Sequence, residues 1–271
     1  MTDKYIFFSD LDGTLLTREK RISEKTKKAL DEFVAKGNHF AVCTGRGLDN
    51  VLDVSRSLAI DYPGSFLICY NGAEIYDYDK KEVIFRIGIP LEMIPGIFKT
   101  ASDFNVHAHT YTTDSLVTPD EGEEMRFYNR VIKRPLIVTD DVVGHLPEDP
   151  CKVIAIELHD PDKLERFRLS IMEKYGDRLS TVYSNPYYLE IFMKEAGKGS
   201  AVRRLSEYLN IPIANTIAAG DEQNDISMIE EAGLGIAMLN SNESVKRSAD
   251  VVTVYDNDHD GLAEFLIEKT R

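Results

Sequence analysis

The residues best equipped for chemistry in this 271-residue chain are carboxylates that follow short apolar runs. Ile6-Phe7-Phe8-Ser9 leads into Asp10-Leu11-Asp12-Gly13-Thr14. Asp10 and Asp12 are two apart, so a chain still extended there points both to one side. Two like charges so close call for a cation between them or a proton on one. A second acidic cluster, Gly220-Asp221-Glu222-Gln223-Asn224-Asp225, follows the apolar run Thr216-Ile217-Ala218-Ala219. Carboxylates and an amide gathered together make an all-oxygen site suited to Mg²⁺. Thr44 and Gly45, after Phe40-Ala41-Val42-Cys43, offer a hydroxyl and an unhindered N–H for phosphate oxygens. Lys198, between Gly197 and Gly199, offers a point charge where backbone can approach an anion closely. A metal, a lysine and a few small donors around a nucleophilic oxygen meet the needs of phosphoryl transfer, where catalysis is mostly positioning and charge neutralisation. One aspartate can attack phosphorus to give an aspartyl-phosphate, and the other can move the proton.

Such residues meet only if the fold brings them together. The apolar runs are short enough for buried parallel strands, which present their chemistry at their carboxyl ends. Between them, Ser23 can cap a helix from about Glu24 to Lys36 that Gly37 stops, and a second helix covers about Leu48 to Leu58. Phe66 to Tyr70 is a third strand, so the start of the chain reads as a doubly wound α/β unit. The pattern then changes. Helices near 91–104, 123–131 and 161–175 alternate with strands at 152–158 and 179–183, with little definition over Pro119 to Asp149. The α/β pattern returns with a helix from about Gly197 to Leu209. The expected architecture is an α/β, doubly wound, Rossmann-like parallel-sheet core (residues 1–85 and 188–271) interrupted by an inserted α+β domain (86–187).

Several of these residues have plainer readings. Asp225 could simply cap a helix, Lys198 could be a solvated surface lysine, and Asn71-Gly72 between apolar runs fits a hairpin turn. His107-x-His109 would face one side of a strand, but without further ligands at metal spacing it reads as structural. The three cysteines, Cys43, Cys69 and Cys151, read as buried free thiols. A net charge of −14 argues against nucleic acid and anionic membranes as partners. No apolar run approaches a membrane span, and Met1 to Tyr5 lacks a signal-peptide pattern, so the expected location is the cytoplasm. Oligomeric state is left open by the sequence.

Taken in order, Asp10-Leu11-Asp12-Gly13-Thr14, Thr44-Gly45-Arg46, Asn71-Gly72-Ala73, Lys198-Gly199 and Gly220-Asp221-Glu222-Gln223-Asn224-Asp225 resemble the haloacid dehalogenase (HAD) superfamily. Within it they are similar to the Cof-type branch that includes the YidA-like sugar phosphatases, whose large C2-type cap is inserted after the Asn-Gly-Ala element. The resemblance implies Asp10 as nucleophile and Asp12 as general acid/base. It implies Mg²⁺ on the Asp10 carboxylate, the Asp12 carbonyl and Asp221, with Asn224 and Asp225 completing or orienting that shell. Thr44, Gly45 and Lys198 would hold the phosphoryl group, while Arg46 and Asn71 would lie near the leaving group. The implied function is a Mg²⁺-dependent phosphatase for small phosphorylated metabolites such as sugar phosphates. The alternatives are a sugar phosphomutase or a non-catalytic phospho-acceptor or metabolite-sensing module. Selectivity would then lie in the cap, with His107, His109, Tyr111, Arg126, Tyr128 and Tyr187 as unranked candidates.

Overall fold

A computed structural model describes residues 4–270. The chain divides into two units, Met1–Arg86 with Ala196–Arg271, and Ile87–Glu195. The first unit opens with β1 (Ile6–Asp10), α1 (Glu24–Ala35), β2 (His39–Cys43), α2 (Leu48–Ser57) and β3 (Phe66–Cys69). Ser23 caps α1 by accepting the Thr26 N–H, and Gly37, at φ +82°, ends it. Next come β4 (Glu74–Asp77), which the hairpin reading of Asn71-Gly72 implies, and β5 (Glu82–Arg86), which the apolar pattern does not reveal. They run antiparallel along the edge beside β3, so the sheet is mixed rather than wholly parallel. At the outer edge, β5 has no fully buried residue, and its three apolar residues sit between the charges of Glu82 and Arg86.

The second unit contains α3 (Ile94–Asp103), β6 (His107–Tyr111), β7 (Leu116–Thr118), α4 (Glu123–Ile132) and β8 (Leu136–Val138). It continues with β9 (Val153–Ile156), α5 (Pro161–Tyr175), β10 (Leu179–Asn185) and β11 (Tyr188–Met193). Its six strands are ordered β10-β11-β9-β6-β7-β8, antiparallel except for the β7–β8 pair. The poorly defined stretch 119–149 thus holds a helix and a short edge strand. The expected boundary at 187/188 is displaced: β11 pairs with β9 and β10, so the division falls at Glu195/Ala196. The hairpin pairing of β11 with β10 carries that strand into the second unit.

The first unit resumes with α6 (Lys198–Leu209), β12 (Thr216–Gly220), α7 (Ile226–Glu231), β13 (Leu234–Ala237), α8 (Glu243–Ser248), β14 (Val251–Val252) and α9 (Gly261–Thr270). The eight strands are ordered β14-β13-β12-β1-β2-β3-β4-β5, with β14 through β3 parallel. β1 lies centrally and is buried on both faces. Ile6 and Phe8 pack with Ala201, Val202 and Leu205 of α6 and Met228 of α7, whereas Phe7 meets Phe33 and Phe40. That two-sided burial is why Ile6-Phe7-Phe8 is continuously apolar. It also sets β1 directly between β12 and β2, so three carboxyl-terminal ends lie side by side.

Candidate active site

Asp10 is the last residue of β1, and the chain turns at once, with Leu16 N–H donating to the Leu11 carbonyl. Gly13 makes that turn at φ +86°, and a Cβ there would fall 2.3 Å from Oδ2 of Asp221. Both the backbone angle and the close approach therefore exclude a side chain. Thr14 donates from Oγ1 to Asp221 Oδ1 at 2.7 Å, and Asn240 donates to the Gly13 carbonyl at 2.9 Å. These bonds tie the turn after β1 to the loop after β12 and to the loop after β13.

Lys198 lies at the start of α6 with its side chain wholly buried. Its Nζ donates to Asp10 Oδ1 at 2.6 Å and to Asp225 Oδ1 at 2.5 Å. The other Asp225 oxygen accepts the N–H groups of Asp221 and Glu222, each at 3.0 Å. Asp225 does cap its turn, through a reciprocal capping box with Glu222, while also anchoring Lys198. The two readings of that residue are one arrangement.

Ligand oxygens of Asp10, Asp221 and Asp225 lie within 4.8 Å of one another, all three residues buried. Burial pushes the Asp10 carboxyl up, Lys198 pulls it back, and the charges of Asp225 and Asp221 add to the rise. Asp221 is pushed up to about 7 by burial, against its bond from Thr14 and with the neighbouring Asp225 and Glu222. Burial opposes the charge on Lys198, but Asp10 and Asp225 outweigh it and hold the ammonium protonated. One cation thus faces three buried carboxylates. A hard divalent ion would relieve the remaining excess, and the donors on offer are the oxygens Mg²⁺ prefers.

Thr44 follows β2, and its Oγ1 accepts the Arg46 N–H at 3.2 Å. Beside it, Tyr70, Asn71 and Gly72 take consecutive positive φ values of 49°, 57° and 99°. This turn does join the antiparallel pair β3 and β4, as the hairpin reading expects. Its left-handed course is held by Tyr70 N–H to the Arg46 carbonyl and Asn71 N–H to the Thr44 carbonyl, each at 3.0 Å. The Asn71 side chain accepts from Asn224 at 3.1 Å and lies where a Cβ on Gly45 would come within 3.2 Å. Gly72 in turn packs against the Gly197 carbonyl, 2.3 Å from where its own Cβ would be. Thr44, Gly45, Asn71, Asn224 and Lys198 therefore belong to one continuous network in the first unit.

Asp12 differs from Asp10. Arg46 grips its carboxylate with Nε at 2.9 Å and Nη2 at 2.8 Å, and Lys20 adds Nζ at 2.7 Å. Although burial raises the Asp12 carboxyl, these bonds bring it below the ordinary carboxylate value. Sequence reasoning missed Lys20. Its only trace is a polar Thr17–Arg21 hairpin too short to read from periodicity, in which Lys20 stands at φ +59°. Thr14 and Asn240 were likewise unassigned. Cys43, Cys69 and Cys151 are buried thiols outside any disulfide among the described residues, as read.

The family model for haloacid dehalogenase-like hydrolases matches residues 7–266. The chain belongs to that family. It is 30% identical to the 5-amino-6-(5-phospho-D-ribitylamino)uracil phosphatase YwtE of Bacillus subtilis, over 95% of each chain. It is 29% identical to the pyridoxal phosphate phosphatase YbhA of Escherichia coli, again over 95% of each. A haloacid dehalogenase-like hydrolase from Bacteroides thetaiotaomicron, 27% identical, superposes with a TM-score of 0.85 over 98% of this chain and 100% of that one. This family member is an enzyme of the phosphatase kind. Among the described residues no helix is long and apolar enough to cross a membrane.

Proposed function

We propose that this phosphatase hydrolyses phosphate monoesters of small metabolites through an aspartyl-phosphate on Asp10, with Mg²⁺ as cofactor and sugar phosphates as the substrate class. The observation that carries the reading is the buried Asp10 carboxylate at the central strand end, fixed by Lys198 with Asp221 and Asp225 beside it. The relatives named for a phosphoribityl compound and for pyridoxal phosphate support the small-metabolite range. The narrower kinship with YidA-like sugar phosphatases is part of the same proposal, as is a cytoplasmic location. Asp10, the Asp12 carbonyl and Asp221 would hold Mg²⁺, with Asp225 bracing them. When bound, the ion would neutralise charge on the transferring phosphoryl group.

In the first step an Asp10 oxygen forms a bond to phosphorus while the bond to the leaving oxygen breaks, and Asp12 gives that oxygen a proton. In the second, Asp12 takes a proton from water, the water oxygen bonds to phosphorus, and the Asp10–phosphorus bond breaks. The Thr44 hydroxyl, the Gly45 N–H and the Lys198 ammonium carry the phosphoryl oxygens. Arg46 and Lys20 hold Asp12 as the carboxylate, the form the second step uses. An arriving phosphate is a rival anion for both cations, so substrate entry loosens their grip and lets Asp12 take up the proton it must donate. A panel of phosphorylated metabolites with and without Mg²⁺, run in ¹⁸O-water, tests the reading. Label is expected in released phosphate. Phosphate returned unlabelled to an isomeric sugar would identify a phosphomutase, and stable phosphorylation of Asp10 without turnover an acceptor module.

A further inference from the structure

The Ile87–Glu195 unit carries an open pocket of about 600 Å³ whose walls all come from residues between Phe98 and Lys163. It shares no residue with the aspartate network. Its volume lies within the roughly 300–1,000 Å³ of small-molecule pockets. Phe98, Val106 and Pro119 form apolar wall, and His107 of β6 lines the same space. His107 is only 8% exposed, yet neither of its ring nitrogens has a hydrogen-bond partner among the described residues. A buried polar group without a partner costs free energy unless something supplies one.

The charges around the cavity sort into those already matched and those left over. Glu157 is paired with Lys163 and accepts the N–H groups of His159 at 2.9 Å and Asp160 at 3.0 Å. Asp160 caps α5 by accepting the Lys163 N–H at 3.0 Å, and His159 meets Glu123 at 3.0 Å. Asp120 and Glu124 meet no lysine or arginine among the described residues, and Asp120 Oδ1 stands 3.5 Å from His107 Nδ1. Asp120 Oδ1 also accepts the Gly122 N–H at 2.8 Å, so what is left over is two carboxylates without a counter-charge and one buried imidazole. Burial pushes His107 below its ordinary value despite Asp120 and Glu124, so the ring keeps an acceptor nitrogen.

An ammonium group carries donors and no acceptor, which suits a site of acceptors, here an imidazole nitrogen with carboxylates beside it. A bare metal ion fits less well. An ion would leave the apolar wall of Phe98, Val106 and Pro119 uncovered. We propose that the cavity beside His107 is a second binding site, for a small primary amine carried on an apolar body.

The test is calorimetric titration of the full chain with 2-phenylethylamine, with 2-phenylethanol as the matched neutral probe. Saturable binding with one site is expected for the amine and at least about tenfold weaker binding for the alcohol. The Asp120→Asn/Glu124→Gln variant is expected to lose about tenfold or more in amine affinity, its amide NMR spectrum checking the fold; Glu124→Gln alone serves if the double variant does not fold. No saturation by ~10 mM amine would overturn the proposal. So would equal affinity for the alcohol, unchanged affinity in the variant, or stoichiometric Zn²⁺ displacing the amine. None of these readouts depends on turnover.

Discussion

The two units bury polar side chains in opposite ways. In the first, Lys198, Asp10, Asp225, Asp221 and Thr14 bond to one another at the carboxyl ends of parallel strands, each with a partner. In the second, His107 and His109 sit in the middle of an antiparallel sheet, 5.6 Å apart, with no hydrogen-bond partner for any ring nitrogen among the described residues. The second unit does hold one buried ion pair, Lys152 with Glu190 at 3.0 Å. Parallel strands bring the loops that follow them to one end, where side chains distant in sequence can meet and satisfy one another. Mid-strand side chains in an antiparallel sheet see only their immediate neighbours. Burial of a polar residue signals chemistry where the topology supplies partners, and a cavity or a cost where it does not.

The comparison breaks first at Asp10. Asp10→Asn should cut turnover of p-nitrophenyl phosphate by on the order of 10⁴-fold or more, with the fold unchanged by circular dichroism. A substantial residual rate would remove Asp10 as nucleophile. Lys198→Ala should cost about 10²–10³-fold in kcat. Because it leaves Asp10 and Asp225 buried without their cation, it should also lower unfolding free energy by about 3–5 kcal/mol in urea. A wild-type rate and midpoint would reduce Lys198 to a bystander.

Gly13→Ala is the next smaller effect. At φ +86° and 2.3 Å from the Asp221 carboxylate, the new methyl should cost about 1–3 kcal/mol and weaken Mg²⁺ binding, measured by titration. Unchanged affinity would mean that the turn has room the geometry denies it.

The smallest effect distinguishes the units by sign. Burial, with His107 and Lys152 nearby, drives His109 well below its ordinary 6.5, so the folded chain binds this proton less readily than the unfolded one. Its contribution to stability is complete above pH 6.5 and is lost as pH falls below it, by at most about 1.4 kcal/mol per pH unit. Asp10 and Asp221 are shifted upward, so without metal the folded first unit binds protons that the unfolded chain releases. That unit should lose stability as pH rises from 3.8 towards about 7, and saturating Mg²⁺ should remove the loss. Hydrogen-exchange protection of β1 and β6 across pH 5 to 7 is expected to move in opposite directions in the metal-free protein. Parallel trends would refute the contrast.

Much of this was legible in the chain itself. Ile6 to Thr14, Phe40 to Gly45 and Thr216 to Asp225 declare strands and the polar residues that end them, because two-sided burial makes parallel strands continuously apolar. The Asp10 and Asp221 positions needed only that pattern and their residue types, whereas Lys198 taken alone read as a surface lysine. The edge strand β5 was not legible, since a half-exposed strand dilutes the apolar signal, and β4 showed only through the hairpin reading of Asn71-Gly72. Nor was the assignment of β11, whose sequence reads equally well as belonging to either sheet until its partners are known.

By itself, then, the sequence determined the strand–helix alternation of the first unit, the insertion, and the carboxylates that stand at strand ends. Local periodicity and residue chemistry suffice for those. Only the tertiary structure decided that Lys198 bonds to both Asp10 and Asp225, and that Asp12 is held by Arg46 and Lys20. It alone brought Asp120 beside His107 at the edge of a cavity. Each of these depends on distances between residues up to 188 positions apart, set by strand order and register rather than by any local preference of the chain.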